Sequence, residues 1–368
     1  MLGPKVVIHI DRLLANYDLI KNQLNQNRLM VVVKANAYGH GSVECARALE
    51  KHGCDSFAVF SALEGIELRK NGIDSDILVF SKINDSYLNQ ANKYRLTLNA
   101  SNLLDINLLE SFRIKNGKSP QFHLKFDTGM TRLGINPSEA KKAFESISKE
   151  LQRYCIGIYS HFATADEGDL TYAHEQLSKF NKILSIAKST GIHFETIHFS
   201  NSGAALNIDQ DEFDQVRVGM LIYGAFPSNE VPMDIPILPV MEFRAPIIEV
   251  RNVDKDTQIS YGGVYKTVAK SNIGVIQCGF ADGIPRLWHQ KGYVSYNGKQ
   301  YKIAGRICMD QFMVNFENDT PRLGEEVLIF GSNNTDNIRM ETIAETIDST
   351  PYVIATDIKG RTQREYKS

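Results

Sequence analysis

The stretch Leu29-Met-Val-Val-Val-Lys34 leads into Ser42-Val-Glu-Cys-Ala-Arg-Ala-Leu-Glu-Lys51 and then into Ser56-Phe-Ala-Val-Phe60. The first and third segments are short, apolar and rich in β-branched residues, as buried strands are. The middle one carries apolar residues at helical spacing. A strand, a helix and a second strand imply parallel pairing, because the helix has to carry the chain back across the sheet. The same texture recurs through the first two thirds of the chain, with apolar runs at 77–80, 95–99, 121–126, 156–161, 195–199 and 215–219. Eight runs, each separated by one connecting unit, predict a closed (β/α)8 barrel. An open doubly wound sheet is the structural alternative.

Near residue 227 the texture changes. Pro227, Pro232, Pro236 and Pro239 crowd one stretch, as in an inter-domain linker. Beyond it the pattern is mostly strand, with one helix expected at 340–347 and a closing strand near 351–356. We therefore expect α/β architecture: a (β/α)8 barrel over residues 1–233, then a mainly-β C-terminal domain over 234–368. The first short strand, near 5–10, is expected to pack with the second domain.

Composition narrows the function. The 368 residues carry 41 Lys and Arg against 43 Asp and Glu, a net charge of −2. No global excess of positive charge draws in nucleic acid or an anionic membrane. No apolar run approaches the length of about 18 residues that a membrane span needs. The N-terminus lacks an uninterrupted signal-peptide core. The five cysteines, Cys45, Cys54, Cys155, Cys278 and Cys308, have neither zinc-ligand nor redox spacing. They read as reduced thiols in a cytoplasmic protein.

Active sites of such barrels sit at the C-terminal ends of the strands. Lys34 closes a run of three valines there. Partial desolvation lowers an amine's pKa and makes it a Schiff-base candidate, although a strand-end lysine can equally snorkel to solvent. Lys125 and Asp127 end the fifth run, and Arg132 follows. His161 ends the sixth, Asn201 and Ser202 follow the seventh, and Arg217 lies at the eighth. Ser202-Gly203 and Arg217-Val-Gly-Met220 suit an anion site, since loops after the last two strands commonly bind phosphate. A Schiff-base lysine and an anion site on one rim point to pyridoxal 5'-phosphate.

Eight blocks then resemble the alanine racemases, in family order. They are Val33-Lys-Ala-Asn-Ala-Tyr-Gly-His40, Asp127-Thr-Gly-Met-Thr-Arg-Leu-Gly134, Ser160-His-Phe-Ala-Thr-Ala-Asp166, His198-Phe-Ser-Asn-Ser202, Arg217-Val-Gly-Met-Leu-Ile-Tyr-Gly224, Ser260-Tyr-Gly-Gly263, Gly279-Phe-Ala-Asp-Gly-Ile-Pro-Arg286 and Gly305-Arg-Ile-Cys-Met-Asp-Gln311. The resemblance implies a homodimer that interconverts L-alanine and D-alanine on a Schiff base with pyridoxal phosphate, feeding D-alanine to peptidoglycan synthesis. It implies two bases, Lys34 for the D-isomer and Tyr261, from the partner subunit, for the L-isomer. A phenol ordinarily ionises near pH 10, so Tyr261 needs help, and His161 matches the residue that hydrogen-bonds it. Arg217 matches the arginine facing the pyridine nitrogen. Tyr38, Ser202 and the backbone of Gly219 and Met220 match phosphate ligands. Arg132 and the backbone of Met309 match substrate-carboxylate contacts, and Lys125 matches a lysine that is often carbamylated. His198 reads as structural, and no metal is assigned.

Two places depart from the family pattern. Phe280 and Ile284 stand where tyrosines commonly border the substrate's access route. The C-terminal tyrosine that binds phosphate has no clear counterpart: spacing places Gly360 there and excludes Tyr352. Three rival readings follow. A racemase of broader specificity differs in pocket size. A non-catalytic pyridoxal phosphate carrier would lack the second domain and Tyr261. A related decarboxylase would need a catalytic cysteine in the second domain, whereas Cys308 sits in a block resembling the racemases.

Overall fold

The computed structural model describes residues 3–24, 28–208 and 213–368. A short strand, β1 (Lys5–His9), leads into a helix over Ile10–Gln23. Eight strands follow: β2 (Arg28–Val32), β3 (Ser56–Val59), β4 (Asp76–Lys82), β5 (Thr97–Ala100), β6 (Phe122–Lys125), β7 (Cys155–Tyr159), β8 (Thr196–His198) and β9 (Gln215–Val218). They form the closed parallel barrel expected from the eight runs, with β9 returning to β2 through Val31 beside Val218. Its wall is built by residues such as Val31, Phe57, Val79, Leu124 and Val216, all fully buried. Strands covered on both faces read as continuous apolar runs, and that made them visible in the sequence.

The second part of the chain is mainly β, as expected. Its long strand β10 (Met241–Val253) pairs antiparallel with β13 (Ser271–Ile276) and with the strand over Glu326–Ser332. Between them a two-stranded hairpin, β11 (Gln258–Ile259) with β12 (Tyr265–Lys266), carries Tyr261 in its connection. Both chain ends join this sheet. Strand β1 pairs antiparallel with β10 and parallel with the C-terminal strand over Gln363–Lys367. Buried Glu242 of β10 receives His9 at 2.7 Å, Arg12 at 3.5 Å and Arg244, which ties the first helix to the sheet.

One expectation is corrected. Residues 351–356 form a helix, not a strand. Pro351 occupies its first turn, where a missing N–H costs nothing, and Ile354 and Ala355 bury the inner face. The β-branched character of Val353-Ile354 gave way to this packing.

Candidate active site

A cavity of about 540 Å³ opens at the C-terminal ends of the barrel strands. Lys34, Tyr38, Lys125, Arg132, His161, Ser202, Arg217 and Gly219 all line it. Thus eight residues singled out at or just beyond the ends of five barrel strands converge on one space.

Lys34 enters the cavity through an unusual piece of backbone. Ala35, Asn36, Ala37 and Tyr38 all have φ near +50°, a full left-handed turn. Left-handed helix costs L-residues roughly 1–2 kcal/mol each, so the surroundings must hold it. Glu64 accepts from the Ala35 N–H at 2.8 Å, and the Asn36 side chain accepts from the Ser42 N–H at 2.9 Å. Arg364 donates to the Gly39 carbonyl at 2.8 Å. The turn folds Tyr38 back beneath the lysine, whose Nζ lies 5.8 Å from the ring centroid. Burial lowers the Lys34 pKa, and Arg132 adds to this while Glu64 opposes it. A smaller share of this amine is protonated than of an exposed lysine.

Strand register explains the floor of the cavity. Lys125 lies beside Tyr159, and Tyr159 beside His198, on three consecutive strands. The Tyr159 and His198 rings stack at 4.6 Å, and Lys125 Nζ sits 5.5 Å from the Tyr159 centroid. Burial, with help from Arg132 and Arg217, lowers the Lys125 pKa to about 7.

Arg217 is buried against the same rung. It donates to the carbonyls of Ser160 and Phe199, each at 2.8 Å. It also meets His198 Nδ1 at 2.7 Å and His161 Nδ1 at 3.1 Å. A guanidinium only donates, so both Nδ1 atoms accept and both imidazole protons sit on Nε2. Burial and the neighbouring Arg217 cation hold His161 and His198 well below the usual histidine range, so both are neutral. Arg217 itself is lowered to about 10 by burial and keeps its proton.

The opposite wall is built for close approach. The Asn201 side chain caps the helix over Ser202–Asn207 through the Ala204 N–H. That leaves the N–H groups of Ser202 and Gly203 without intrahelical acceptors. The Gly219 N–H donates to Ser202 Oγ at 3.0 Å. A Cβ on Gly219 would stand 2.7 Å from Tyr38 Oη, and one on Gly203 would stand 2.7 Å from Asp166 Cβ. Met220 is fully buried and does not line the cavity.

Tyr261 and Met309 are not brought to this cavity: they lie exposed on the second domain, 67% and 56% accessible. Tyr352, excluded by spacing, is the residue the sequence reading missed. It lines the cavity, with its ring 5.8 Å from that of Tyr38. Gly360 is exposed and does not line the cavity. Tyr352 reaches the cavity from the helix over Pro351–Thr356, where spacing against the family pattern did not place a cavity residue.

The geometry agrees with what the chain resembles. Residues 8–227 match the model of the alanine racemase N-terminal domain, and residues 240–366 that of the C-terminal domain. The chain is 35% identical over 365 residues to alanine racemase 2 of Caldanaerobacter subterraneus subsp. tengcongensis, covering 98% of this chain and 94% of that one. It is 35% identical over 363 residues to the alanine racemase of Carboxydothermus hydrogenoformans, covering 98% of each. The solved alanine racemase of Streptomyces lavendulae superposes with a TM-score of 0.94 at 31% identity, over 100% of this chain and 98% of that one. The chain belongs to the alanine racemase family.

Proposed function

We propose that this protein interconverts L-alanine and D-alanine with pyridoxal 5'-phosphate held in the barrel cavity. The family depends on this cofactor, and the observation that carries the reading is a convergence. A lysine with a lowered pKa and a buried arginine that keeps its proton face one space. The residues fit the group: an amine, a protonated guanidinium and glycine backbone share the cavity, and a Cβ at Gly219 would collide with Tyr38 Oη and push it from the wall. Tyr38, Ser202 and the backbone of Gly219 and Met220 would hold the phosphate, and Tyr352 would join them from beside Tyr38. When bound, the cofactor supplies an electron-withdrawing ring that makes an amino acid's α-proton acidic.

The rest falls to this chain's side chains. Lys34 attaches the cofactor through its amine and then moves the proton on the face of the D-isomer. Tyr261 of the partner subunit serves the face of the L-isomer, which accounts for its exposed position in a single chain. His161 accepts from Arg217 at Nδ1, so its Nε2–H is free to stabilise the tyrosine's anionic oxygen. Arg217 would face the cofactor's ring nitrogen and, being a poor acid, would leave it without a proton. Arg132 and the Met309 backbone orient the substrate carboxylate. Lys125 is carbamylated, which turns a cation into an anion that pairs with Arg132.

The working unit in this reading is a homodimer with shared sites, located in the cytoplasm and supplying D-alanine for peptidoglycan. Among the described residues, no helix is long and apolar enough to cross a membrane. The test is a racemisation assay of the purified protein with added cofactor against the twenty amino acids. Alanine should be racemised fastest. Racemisation of none would refute the proposal, and a larger side chain racemised faster would favour the broader-specificity reading.

A further inference from the structure

We infer that His123, buried behind the cavity wall and not itself lining it, is a positioning residue that holds the proton on His198 Nε2 and through it the orientation of Arg217. His123 lies on β6, two residues before Lys125 and on the same face of the strand. Its Nδ1 is 2.8 Å from His198 Nε2. His198 Nδ1 is in turn 2.7 Å from Arg217 Nη1. The chain of contacts has one consistent proton assignment. Arg217 can only donate, so His198 Nδ1 accepts and its proton sits on Nε2. That proton is donated to His123 Nδ1, so the proton of His123 sits on Nε2.

Both rings are buried and neutral. Burial, reinforced by Arg217, lowers the His123 pKa to about 3. A neutral imidazole has two tautomers, and solvent does not choose between them here. Arg217 and His123 make the choice together, because only the Nε2–H form of His198 offers an acceptor to the arginine at one end and finds an acceptor in His123 at the other. Without that acceptor, a buried Nε2–H is unpaired, which favours the tautomer that places a proton on Nδ1. That proton would point at an Arg217 N–H. Two donors repel, and the guanidinium would shift within the cavity.

The barrel makes specific room for this ring. Gly157 lies beside His123 in the β6–β7 register, and a Cβ there would stand 2.6 Å from the imidazole. Tyr159 closes the other side, with its ring stacked on His198 and its hydroxyl donated to Asn99 at 2.8 Å.

The tautomer assignment stands on this chain alone, and only its effect on turnover rests on the proposed function. The holoenzyme labelled with nitrogen-15 histidine tests the first part through the long-range proton–nitrogen NMR pattern, which distinguishes the two neutral tautomers. His198 should be found protonated at Nε2, and a proton on Nδ1 would overturn the inference even if no variant folds. The variants test the second part. His123→Asn places an amide oxygen near the Nδ1 position, and His123→Leu has no acceptor. Leu should move the His198 signal toward the Nδ1–H form and cut alanine racemisation roughly tenfold or more. Asn should keep both the signal and most of the rate. If Asn and Leu are equally impaired, or if Leu leaves the His198 signal unchanged, His123 is packing and no more. An inactive wild type with the expected tautomer would refute the proposed function and leave this assignment intact.

Discussion

Arg217 and His161 meet through Nη2 and Nδ1 at 3.1 Å, on the wall of the cavity that also holds Lys34. The arginine can only donate in this contact, so the histidine's proton is directed away from it. A neutral imidazole with a free Nε2–H is the group that would lower the cost of ionising a phenol placed beside it. In the proposed function, the pairing links Arg217 with the tyrosine that would act as the second base. Replacing His161 with Phe keeps a planar side chain but removes both nitrogens. Racemisation should fall by about a hundredfold, within the usual range for positioned acid–base groups, while cofactor absorbance persists. An unchanged rate would contradict the link.

Attachment of the cofactor is the next test. Borohydride reduction of the holoenzyme, followed by peptide mapping, should find pyridoxal phosphate on the peptide that contains Lys34. The lowered pKa of this lysine and its place in the cavity support that outcome. Label on Lys125 or any other lysine would overturn the site assignment.

Lys125 offers a pH-dependent signature. Carbon dioxide adds only to a neutral amine, and burial brings this lysine down to about 7. The amine is thus largely neutral above pH 7 and protonated below it. Carbon-13 NMR with labelled bicarbonate should show a carbamate at pH 8 that fades as the pH drops through 7. The signal should be absent in Lys125→Ala. A holoenzyme without this signal at pH 8 would show the lysine to be unmodified.

Acid should weaken the fold through its buried imidazoles. Burial lowers His40 to about 4 and His123 to about 3, against roughly 6.5 in an unfolded chain. Between those values the unfolded chain binds protons that the folded one refuses. Stability from this source is complete above pH 6.5 and is lost as the pH falls toward 4. At pH 5 each of the two costs roughly 2 kcal/mol. Urea unfolding at fixed protein concentration should show a clearly lower midpoint at pH 5 than at pH 7.5, and equal midpoints would contradict it.

The barrel was legible because its strands are buried on both faces and stand out as apolar runs. The rim residues were legible because a lysine, a histidine or an arginine closing such a run is conspicuous. What escaped the sequence reading depends on tertiary placement. Tyr352 was lost because spacing against the family pattern pointed to Gly360, whereas Pro351 opens a helix that sets the Tyr352 ring beside Tyr38. The left-handed turn at 35–38 involves two alanines, an asparagine and a tyrosine, and it is held by Ser42 just beyond it and by Glu64 and Arg364 from distant segments. The pairing of His123 with His198 joins residues 75 apart in sequence, and no local pattern announces it.

The central claim is that two opposed bases serve the two faces of one substrate, and the exchange of α-protons with deuterated solvent tests it most directly. Tyr261→Phe removes the ionisable oxygen of an exposed side chain and keeps its ring, so cofactor binding and assembly should survive and can be checked first. Exchange from L-alanine should then drop by about a hundredfold to ten-thousandfold. Exchange from D-alanine, which uses Lys34, should be far less affected although net racemisation fails. If both enantiomers exchange at the wild-type rate, Tyr261 is not the second base, and the two-base account is contradicted.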